Sequence, residues 1–181
     1  MKILTLLRHA KSGWNDPVER DFDRPLNRRG RKAAETIGRE MRTLGLDFDK
    51  VLASPAVRVV ETLADVAEGY GPGITPDYDE RLYLASLTTL LDIIHATDDS
   101  AERLLIVGHN PGLELLAMHL ASEDTEGRRD QIAIKYPTAT LAEIALPVES
   151  WSEVKQGIGR IERFIRPRDL DRGLGPDQEG H

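Results

Sequence analysis

The sequence contains no cysteine among its 181 residues. Disulfide bonds, thiolate nucleophiles and cysteine-held metal ions are therefore excluded, and the composition fits a reducing compartment. An excess of positive charge is also lacking, because 24 lysine and arginine residues are outnumbered by 31 aspartate and glutamate residues, for a net charge of −7. This balance argues against general nucleic-acid binding, so any anion site must be a local positive pocket on an acidic body.

Long apolar runs are missing as well. The apolar run Ile3–Leu7 is too short for a secretory signal, and Arg8 ends it. No stretch of the sequence is long enough to span a bilayer. We therefore expect a cytoplasmic protein with neither a membrane nor a nucleic acid as its partner. The chain is long enough to bury a substantial core as one domain.

Strand and helix patterns alternate along the chain. Ile3–Leu7 and Leu104–Val107 are unbroken apolar segments, as in strands that are covered on both faces. The other predicted elements are helices from the Asn27 cap to Leu44, after the Ser54-Pro55 cap, over Ser86–His95 and over Leu113–Ala121, and extended segments at Lys50–Ala53, Ile74–Tyr78, Thr140–Leu146 and Ile158–Ile165. The alternation predicts an α/β sandwich with a largely parallel sheet.

Two polar segments interrupt or follow these patterns. The charged stretch Ser122–Gln131 predicts a mobile loop, and the two extended segments after it predict a hairpin or an edge pair. Residues after Pro167 are rich in Asp, Arg, Gly and Pro, a composition with too few apolar groups to order a segment. We therefore expect one domain over residues 1–166 and a poorly ordered tail over residues 167–181.

Positively charged and imidazole side chains follow two of the predicted strands. Arg8-His9 comes after the first strand, and Gly108-His109 follows the apolar segment at 104–107. Open α/β sheets bind ligands beyond the carboxyl ends of their strands. Arg58 lies in the first turn of a predicted helix, where backbone N–H groups bind anions. Each residue alone also fits a loop, a solvated helix face or a simple turn, but together they predict a phosphate site.

A histidine in a phosphate pocket suggests nucleophilic catalysis. Neutral imidazole is available near neutral pH because its reference pKa is about 6.5. Attack on phosphorus gives a phosphoimidazole and divides one difficult displacement into two easier ones. Arginines stabilise the charge on the equatorial phosphoryl oxygens, and no acidic cluster with metal-ligand spacing is evident. We therefore expect neither a metal nor another cofactor, although a poor leaving group still requires a proton donor.

Four ordered stretches, LLRHAKSGWN, SPAVRVVET, DERLY and VGHNPGLE, resemble the histidine phosphatase superfamily. The resemblance implies the phosphoglycerate mutase-like fold, a three-layer α/β/α sandwich with a mostly parallel central sheet. The stretches DFDRPLNRRGRKAAE and FIRPRDL further resemble the short bacterial members, the protein phosphohistidine phosphatases. The resemblance extends from about residue 3 to residue 170, and one departure is Ala10, where many relatives have glycine.

The resemblance also implies roles for the cationic residues. His9 would be the nucleophile that becomes phosphorylated, and His109 would be the second histidine of the pocket. Arg8 and Arg58 would clamp the phosphoryl oxygens.

Three further site residues come from the same resemblance. Glu80 of DERLY matches the acidic residue that donates a proton to the leaving group, and its alternative is a surface carboxylate paired with Arg81. Asn15 matches a position close to the phosphate in relatives, and Ser12 lies in the same turn.

The sequence therefore predicts a metal-independent phosphatase with a phosphohistidine intermediate, acting on phosphohistidine of a partner protein. The stretch between Glu80 and Leu104 has room for one helix but not for a long lid, and an open pocket suits a side chain presented by a macromolecule. The alternatives are a phosphomonoesterase acting on a sugar phosphate, nucleotide or phosphoglycerate, and a phosphate-binding module without turnover. The oligomeric state is left open.

Overall fold

The computed structural model describes residues 1–13, 20–122 and 126–175. Its helices are α1 (Arg28–Thr43), α2 (Val57–Tyr70), α3 (Leu87–His95), α4 (Gly112–Leu120), α5 (Arg128–Ile134) and α6 (Pro167–Leu170). Its strands are β1 (Lys2–Arg8), β2 (Lys50–Ala53), β3 (Asp77–Tyr78), β4 (Arg103–Gly108), β5 (Leu141–Leu146) and β6 (Arg160–Ile165). Short 3-10 turns occur at Asp21–Asp23, Glu80–Leu82, Trp151–Glu153 and Arg172–Leu174.

The six strands form one sheet in the order β3-β2-β4-β1-β5-β6. β4 pairs in parallel with β1 and β2, β3 pairs in parallel with β2, and β5 pairs antiparallel with both β1 and β6. The predicted α/β sandwich with a largely parallel sheet is confirmed. The predicted hairpin or edge pair is also confirmed, because β5 and β6 are antiparallel neighbours and β6 lies at the edge.

Apolar side chains cover both faces of the central strands. On β4, Leu104 and Ile106 belong to one buried cluster, whereas Leu105 and Val107 belong to another. Successive side chains of a strand point to opposite faces, so an unbroken apolar run fills two cores. The first cluster includes residues of α3, α4 and α5, and the second includes residues of α1 and α2. The fold therefore has the three expected layers.

The strand register brings three loop segments to one edge of the sheet. Arg8 is opposite Gly108 in the pairing of β1 with β4, and Ala53 is opposite Val107 in the pairing of β2 with β4. The residues that follow these strands therefore begin at the same level. Arg8, His9 and His109, the predicted site residues that lie at or after strand ends, are therefore all found at this edge.

The helix starts agree only in part with the predicted caps. Asn27 is the N-cap of α1, and its side-chain oxygen accepts a hydrogen bond from the Gly30 amide at 2.8 Å. The prediction that Ser54 caps the next helix is wrong, because α2 begins at Val57 with Ala56 as its N-cap. The Ser54 hydroxyl is instead directed towards the end of β4.

The charged stretch after α4 is not a loop throughout. Residues 128–134 form α5, and Ile132 is fully buried in the first core cluster. Burial of Ile132 and hydrogen bonds from Arg129 to the Ala121 and Met118 carbonyl oxygens hold this short helix, which the surrounding charged residues obscure in the sequence. Residues 123–125 lie outside the described part of the chain.

The start of the expected tail is also folded. Pro167 is buried at the first position of α6, and Leu170 and Leu174 pack against the second core cluster. Arg166 and Asp169 form a reciprocal cap at the start of α6, with an ion pair of 2.8 Å. The expectation of little order therefore does not hold for residues 167–175, and residues 176–181 lie outside the described residues. Within those described, no helix has the length and apolar character needed to cross a membrane.

Helices α1 and α2 approach each other backbone to backbone through glycine. A Cβ atom placed on Gly38 of α1 would lie 2.3 Å from the Val66 carbonyl oxygen, and one placed on Gly69 of α2 would lie 2.2 Å from the Glu35 carbonyl oxygen. Both distances are far below van der Waals contact. The close approach of the two helices therefore requires glycine at both positions.

We predict that Gly38→Ala destabilises the protein by about 1–3 kcal/mol, because the added methyl group overlaps backbone that cannot move away alone. Helix propensity alone predicts the opposite sign, a gain of about 0.5–1 kcal/mol. Urea denaturation measures the difference, and Glu40→Ala on the same helix is the control without a close contact. A Gly38→Ala protein as stable as the wild type would contradict the packing argument.

Candidate active site

The two predicted strand-end histidines meet at the carboxyl edge of the sheet. The His9 amide donates a hydrogen bond to the Gly108 carbonyl oxygen at 3.0 Å, which joins the two strand ends directly. The ring centroids of His9 and His109 are 5.3 Å apart, with planes tilted by 53°. Both residues are buried, with 7% of His9 and 4% of His109 exposed. Two segments about a hundred residues apart in sequence thus form one site.

A cavity of about 380 Å³ opens beside the two imidazoles. Its lining includes all four cationic or imidazole residues singled out from the sequence: Arg8, His9, Arg58 and His109. Ser12 also lines the cavity, and its hydroxyl oxygen accepts a hydrogen bond from Arg24 at 2.8 Å. Asn15 lies outside the described residues.

His9 has one ring nitrogen engaged and the other available. Its Nδ1 is 2.7 Å from the Ala10 carbonyl oxygen. A carbonyl oxygen can only accept, so Nδ1 carries the proton and Nε2 keeps its lone pair. The pKa of His9 is lowered to about 3, chiefly by burial; the Ala10 hydrogen bond opposes the shift, and the charge of Arg8 contributes to it. The ring is therefore neutral and nucleophilic at neutral pH.

His109 is held neutral by the same environment. Burial and the charge of Arg58 lower the pKa of His109 to about 4. Its Nε2 lies 2.8 Å from the Ser54 hydroxyl, and its Nδ1 is buried with no hydrogen-bond partner in the described part of the chain. The edge of the Tyr83 ring packs against the imidazole at a centroid distance of 5.4 Å.

Arg8 is anchored by a tyrosine that the sequence analysis did not single out. One guanidinium nitrogen of Arg8 donates to the Tyr136 carbonyl oxygen at 2.9 Å, and the side-chain amide of Asn110 donates to the same oxygen. Tyr136 is itself buried, and its hydroxyl donates to the Leu6 carbonyl oxygen of β1 at 2.7 Å. The Nε of Arg8 is buried without a partner among the residues described. The guanidinium is thus fixed at the cavity wall.

Arg58 is more deeply buried and is bound to an acidic residue. Its side chain is 3% exposed, and its two terminal nitrogens donate to the Asp21 carbonyl oxygen at 2.9 Å and to Asp21 Oδ2 at 3.0 Å. The ring of Tyr83 lies 6.0 Å from the guanidinium carbon, within the range of a cation–π contact. Arg58 is therefore held in the first turn of α2, as the sequence predicted.

Asp21 is a site residue that the sequence analysis missed. Besides Arg58, it accepts hydrogen bonds from Arg24 at 2.9 Å and from the Tyr83 hydroxyl at 2.6 Å. Burial opposes its ionisation, but the Tyr83 hydrogen bond, the charge of Arg58 and the Arg24 hydrogen bond together lower the pKa of Asp21 to about 2. The Asp21 carboxylate is thus ionised and forms an ion pair with Arg58, the arginine that would bind a phosphoryl oxygen. Its only signal in the sequence is its place in DFDRPLNRRG.

Glu80 is not brought into the cavity. It begins the 3-10 turn Glu80–Leu82, its side chain is exposed, and it is absent from the cavity lining among the described residues. The alternative pairing with Arg81 is not formed either, because Arg81 binds Asp79 at 2.7 Å. The proton-donor role of Glu80 stays a prediction.

We predict that the two buried imidazoles make folding sensitive to acid. Below pH about 6.5 the unfolded chain binds protons on both rings, whereas the native pKa values are about 3 for His9 and about 4 for His109. The unfolded state then binds more protons than the native state, so the free energy of unfolding falls as pH falls. The loss between pH 7 and pH 5 is about 1–2 kcal/mol per imidazole.

Urea denaturation at pH 7 and pH 5 measures this loss, in the wild type and in a His9→Asn/His109→Asn double variant. The variant should lose less stability between the two pH values. Between pH 7.5 and pH 9 the two proteins should respond alike, because both imidazoles are neutral in both states. If the free energy of unfolding falls equally steeply with pH below 6.5 in the wild type and the variant, the imidazoles do not resist protonation in the folded protein.

Comparison with known proteins agrees with this geometry. A sequence profile described as "Histidine phosphatase superfamily (branch 1)" matches residues 4–83. A protein of Mycobacterium tuberculosis is 35% identical over 164 residues, which cover 90% of this chain and all of the relative. The similar solved structures include three that carry the name of the phosphohistidine phosphatase SixA. The Agrobacterium tumefaciens protein is 29% identical with a TM-score of 0.75, covering 92% of this chain and 98% of that one.

The protein from Nakamurella multipartitia is 26% identical with a TM-score of 0.78, covering 92% of this chain and 96% of that one. These matches confirm the predicted phosphoglycerate mutase-like fold class. The sequence profile covers the segments that carry Arg8, His9 and Arg58. The chain therefore belongs to the histidine phosphatase superfamily, and it is a phosphatase.

Proposed function

We propose that this phosphatase removes the phosphoryl group from phosphohistidine on a partner protein, with His9 as the nucleophile. One observation carries the proposal. The cavity has arginines and a neutral imidazole, but the one carboxylate among its described lining residues is Asp21, which is ionised and cannot donate a proton. A substrate whose leaving group needs no acid fits such a site best.

Phosphohistidine meets this requirement. His9 Nε2 forms a bond to phosphorus, and the bond from phosphorus to the substrate nitrogen breaks. When the second nitrogen of the substrate ring already carries a proton, the ring leaves as neutral imidazole and no proton donor is needed. The phosphoryl group is then on His9, and the Ala10 carbonyl oxygen accepts a hydrogen bond from the Nδ1–H group of the cationic ring.

The arginines stabilise the transferred group. Arg8 and Arg58 face the cavity from two elements, so their charges lie on different sides of the phosphoryl oxygens. A phosphoryl oxygen displaces the Asp21 carboxylate from Arg58, because both anions bind the same guanidinium nitrogens. Water then attacks phosphorus, the bond to His9 Nε2 breaks, and phosphate leaves with His9 restored to its neutral form.

The walls of the cavity also favour a macromolecular substrate. Between the 3-10 turn Glu80–Leu82 and β4, the chain contains the single helix α3, which packs against α4. No inserted element in this interval covers the imidazoles. Leu84 lines the cavity with 53% of its surface exposed and a backbone φ of 49°, a conformation that is rare for leucine. An apolar side chain displayed at the rim fits contact with a protein surface.

We predict that His9→Ala lowers the hydrolysis of a phosphohistidine peptide by about 10³-fold or more, because the covalent intermediate can no longer form. The matched control is His119→Ala, which removes an imidazole at the far end of α4. Wild-type protein, quenched during turnover, should carry acid-labile phosphate on His9. Undiminished activity of His9→Ala would overturn the mechanism.

We predict that Glu80→Gln keeps hydrolysis of the phosphohistidine peptide within about threefold of wild type, because the imidazole leaving group needs no general acid. On an alkyl phosphate the same variant should lose up to about 10²-fold, because an alkoxide leaves only when protonated. Measurement of kcat/KM for both substrates tests the assignment. Equally large losses on both would contradict it.

A panel of phosphorylated small molecules separates the proposed function from its alternative. Sugar phosphates, nucleotides and phosphoglycerates should be turned over with a far lower kcat/KM than the peptide. A member of the panel that exceeds the peptide would assign the protein to phosphomonoester hydrolysis instead.

A further inference from the structure

A second cavity, of about 260 Å³, adjoins the first. Arg8, Lys11 and Thr138 line both cavities, so the two share a wall. We refer to the second cavity as the basic groove. Its cationic lining residues are Arg8, Lys11, Arg29, Lys135, Arg166 and Arg168. No aspartate or glutamate belongs to the described lining, although acidic residues predominate in the chain as a whole.

Part of the lining of the basic groove comes from the segment after Pro167, which the composition predicted to be a poorly ordered tail. Arg29 of α1 donates a hydrogen bond to the Gly175 carbonyl oxygen, which holds the end of this segment against α1. Pro167 and Leu174 contribute apolar surface to the lining, together with Ala33 and Pro137. The groove therefore combines positive charge with an apolar floor, and its walls come from separate elements.

Two of the cations are available to a ligand. Lys135 and Arg168 are exposed, and neither forms an ion pair with any residue in the described part of the chain. By contrast, Arg166 is bound to Asp169 at 2.8 Å. Lys135 comes directly after Ile134, whose surface is 85% exposed. Positive charge and an exposed apolar side chain thus lie together at the end of α5.

We infer that the basic groove binds acidic side chains of the partner protein that flank its phosphohistidine. This inference rests on the proposed function, because it places the phosphohistidine in the cavity of His9. On a body with net charge −7, an acidic partner is repelled everywhere except near local positive charge, so the groove fixes its orientation. The apolar floor and the exposed Ile134 match the mixed acidic and apolar surface of a protein better than a small polyanion.

The test uses two peptides that carry the same phosphohistidine, one flanked by aspartate and glutamate and one by serine and alanine. Wild-type protein should prefer the acidic peptide by about tenfold in kcat/KM, and the preference should shrink as salt rises because the charges are partly exposed. A Lys135→Glu/Arg168→Glu variant should lose or invert the preference while hydrolysing the neutral peptide at the wild-type rate.

The matched control is Lys155→Glu, which reverses an exposed charge on the loop before β6, at the opposite end of the sheet. It should keep the acidic preference. Urea denaturation checks that the double variant is folded, and its neutral-peptide rate gives the same check during the assay.

The outcomes separate this inference from the function on which it rests. The groove's role in recognition is overturned if the wild type hydrolyses both peptides at equal rates. It is also overturned if the preference survives the double charge reversal. Either result leaves the proposed function standing. Failure to hydrolyse either peptide or free phosphohistidine overturns both. The wild type could instead prefer a small bisphosphate over its monophosphate, with the double variant losing that preference. This result would assign the groove to binding a metabolite and overturn its role in protein recognition.

Discussion

The pairing of β1 with β4 is the constraint on which the site depends. The register that sets Arg8 opposite Gly108 also sets two imidazoles at the same edge, with their centroids 5.3 Å apart. Apart from Ile3, the apolar residues of both strands are buried, so a shift in register would move the polar residues at the strand ends into the core. The same burial keeps water from the rings and lowers their pKa values. His9, the proposed nucleophile, is thus neutral because of the packing of the sheet, and no neighbouring base is required.

The buried charge of Arg58 must be balanced by an anion. This requirement applies both to the free protein and to a protein with substrate bound. Arg58 is 3% exposed, and an unpaired charge at that depth would be strongly unfavourable. Asp21, held by Tyr83 and Arg24, supplies the anion in the free protein. In the proposed function a phosphoryl group would replace this carboxylate, so part of its interaction with Arg58 would be offset by the lost ion pair. In exchange, the guanidinium is already positioned when the substrate arrives.

Local sequence patterns predicted the strands, the sheet type and the four central site residues, because each signal lies within a few residues of a strand end or a helix start. Asp21 and Tyr83 escaped prediction since their contacts join segments 37 and 62 residues apart and depend on how a 3-10 turn packs on α2. Composition gave incorrect predictions for the two polar segments, Ser122–Gln131 and the residues after Pro167. Ile132 fixes α5, and Leu174 helps to fix the segment after α6, so a few buried side chains outweigh many charged neighbours.

The described lining of the cavity contains no protonated acid, and this has a consequence for specificity. In the proposed function the substrate is selected by the lability of its phosphoryl bond, and many labile phosphoryl groups share that property. Discrimination among them must then come from contacts outside the reacting atoms. The described chain offers such contacts where Arg8 lines both the cavity of His9 and the basic groove, and where Leu84 lies exposed at the rim. Because Arg8 lines both cavities, an anion in the groove and the phosphoryl group of the proposed function would both lie beside this residue, and recognition and chemistry would be coupled through it.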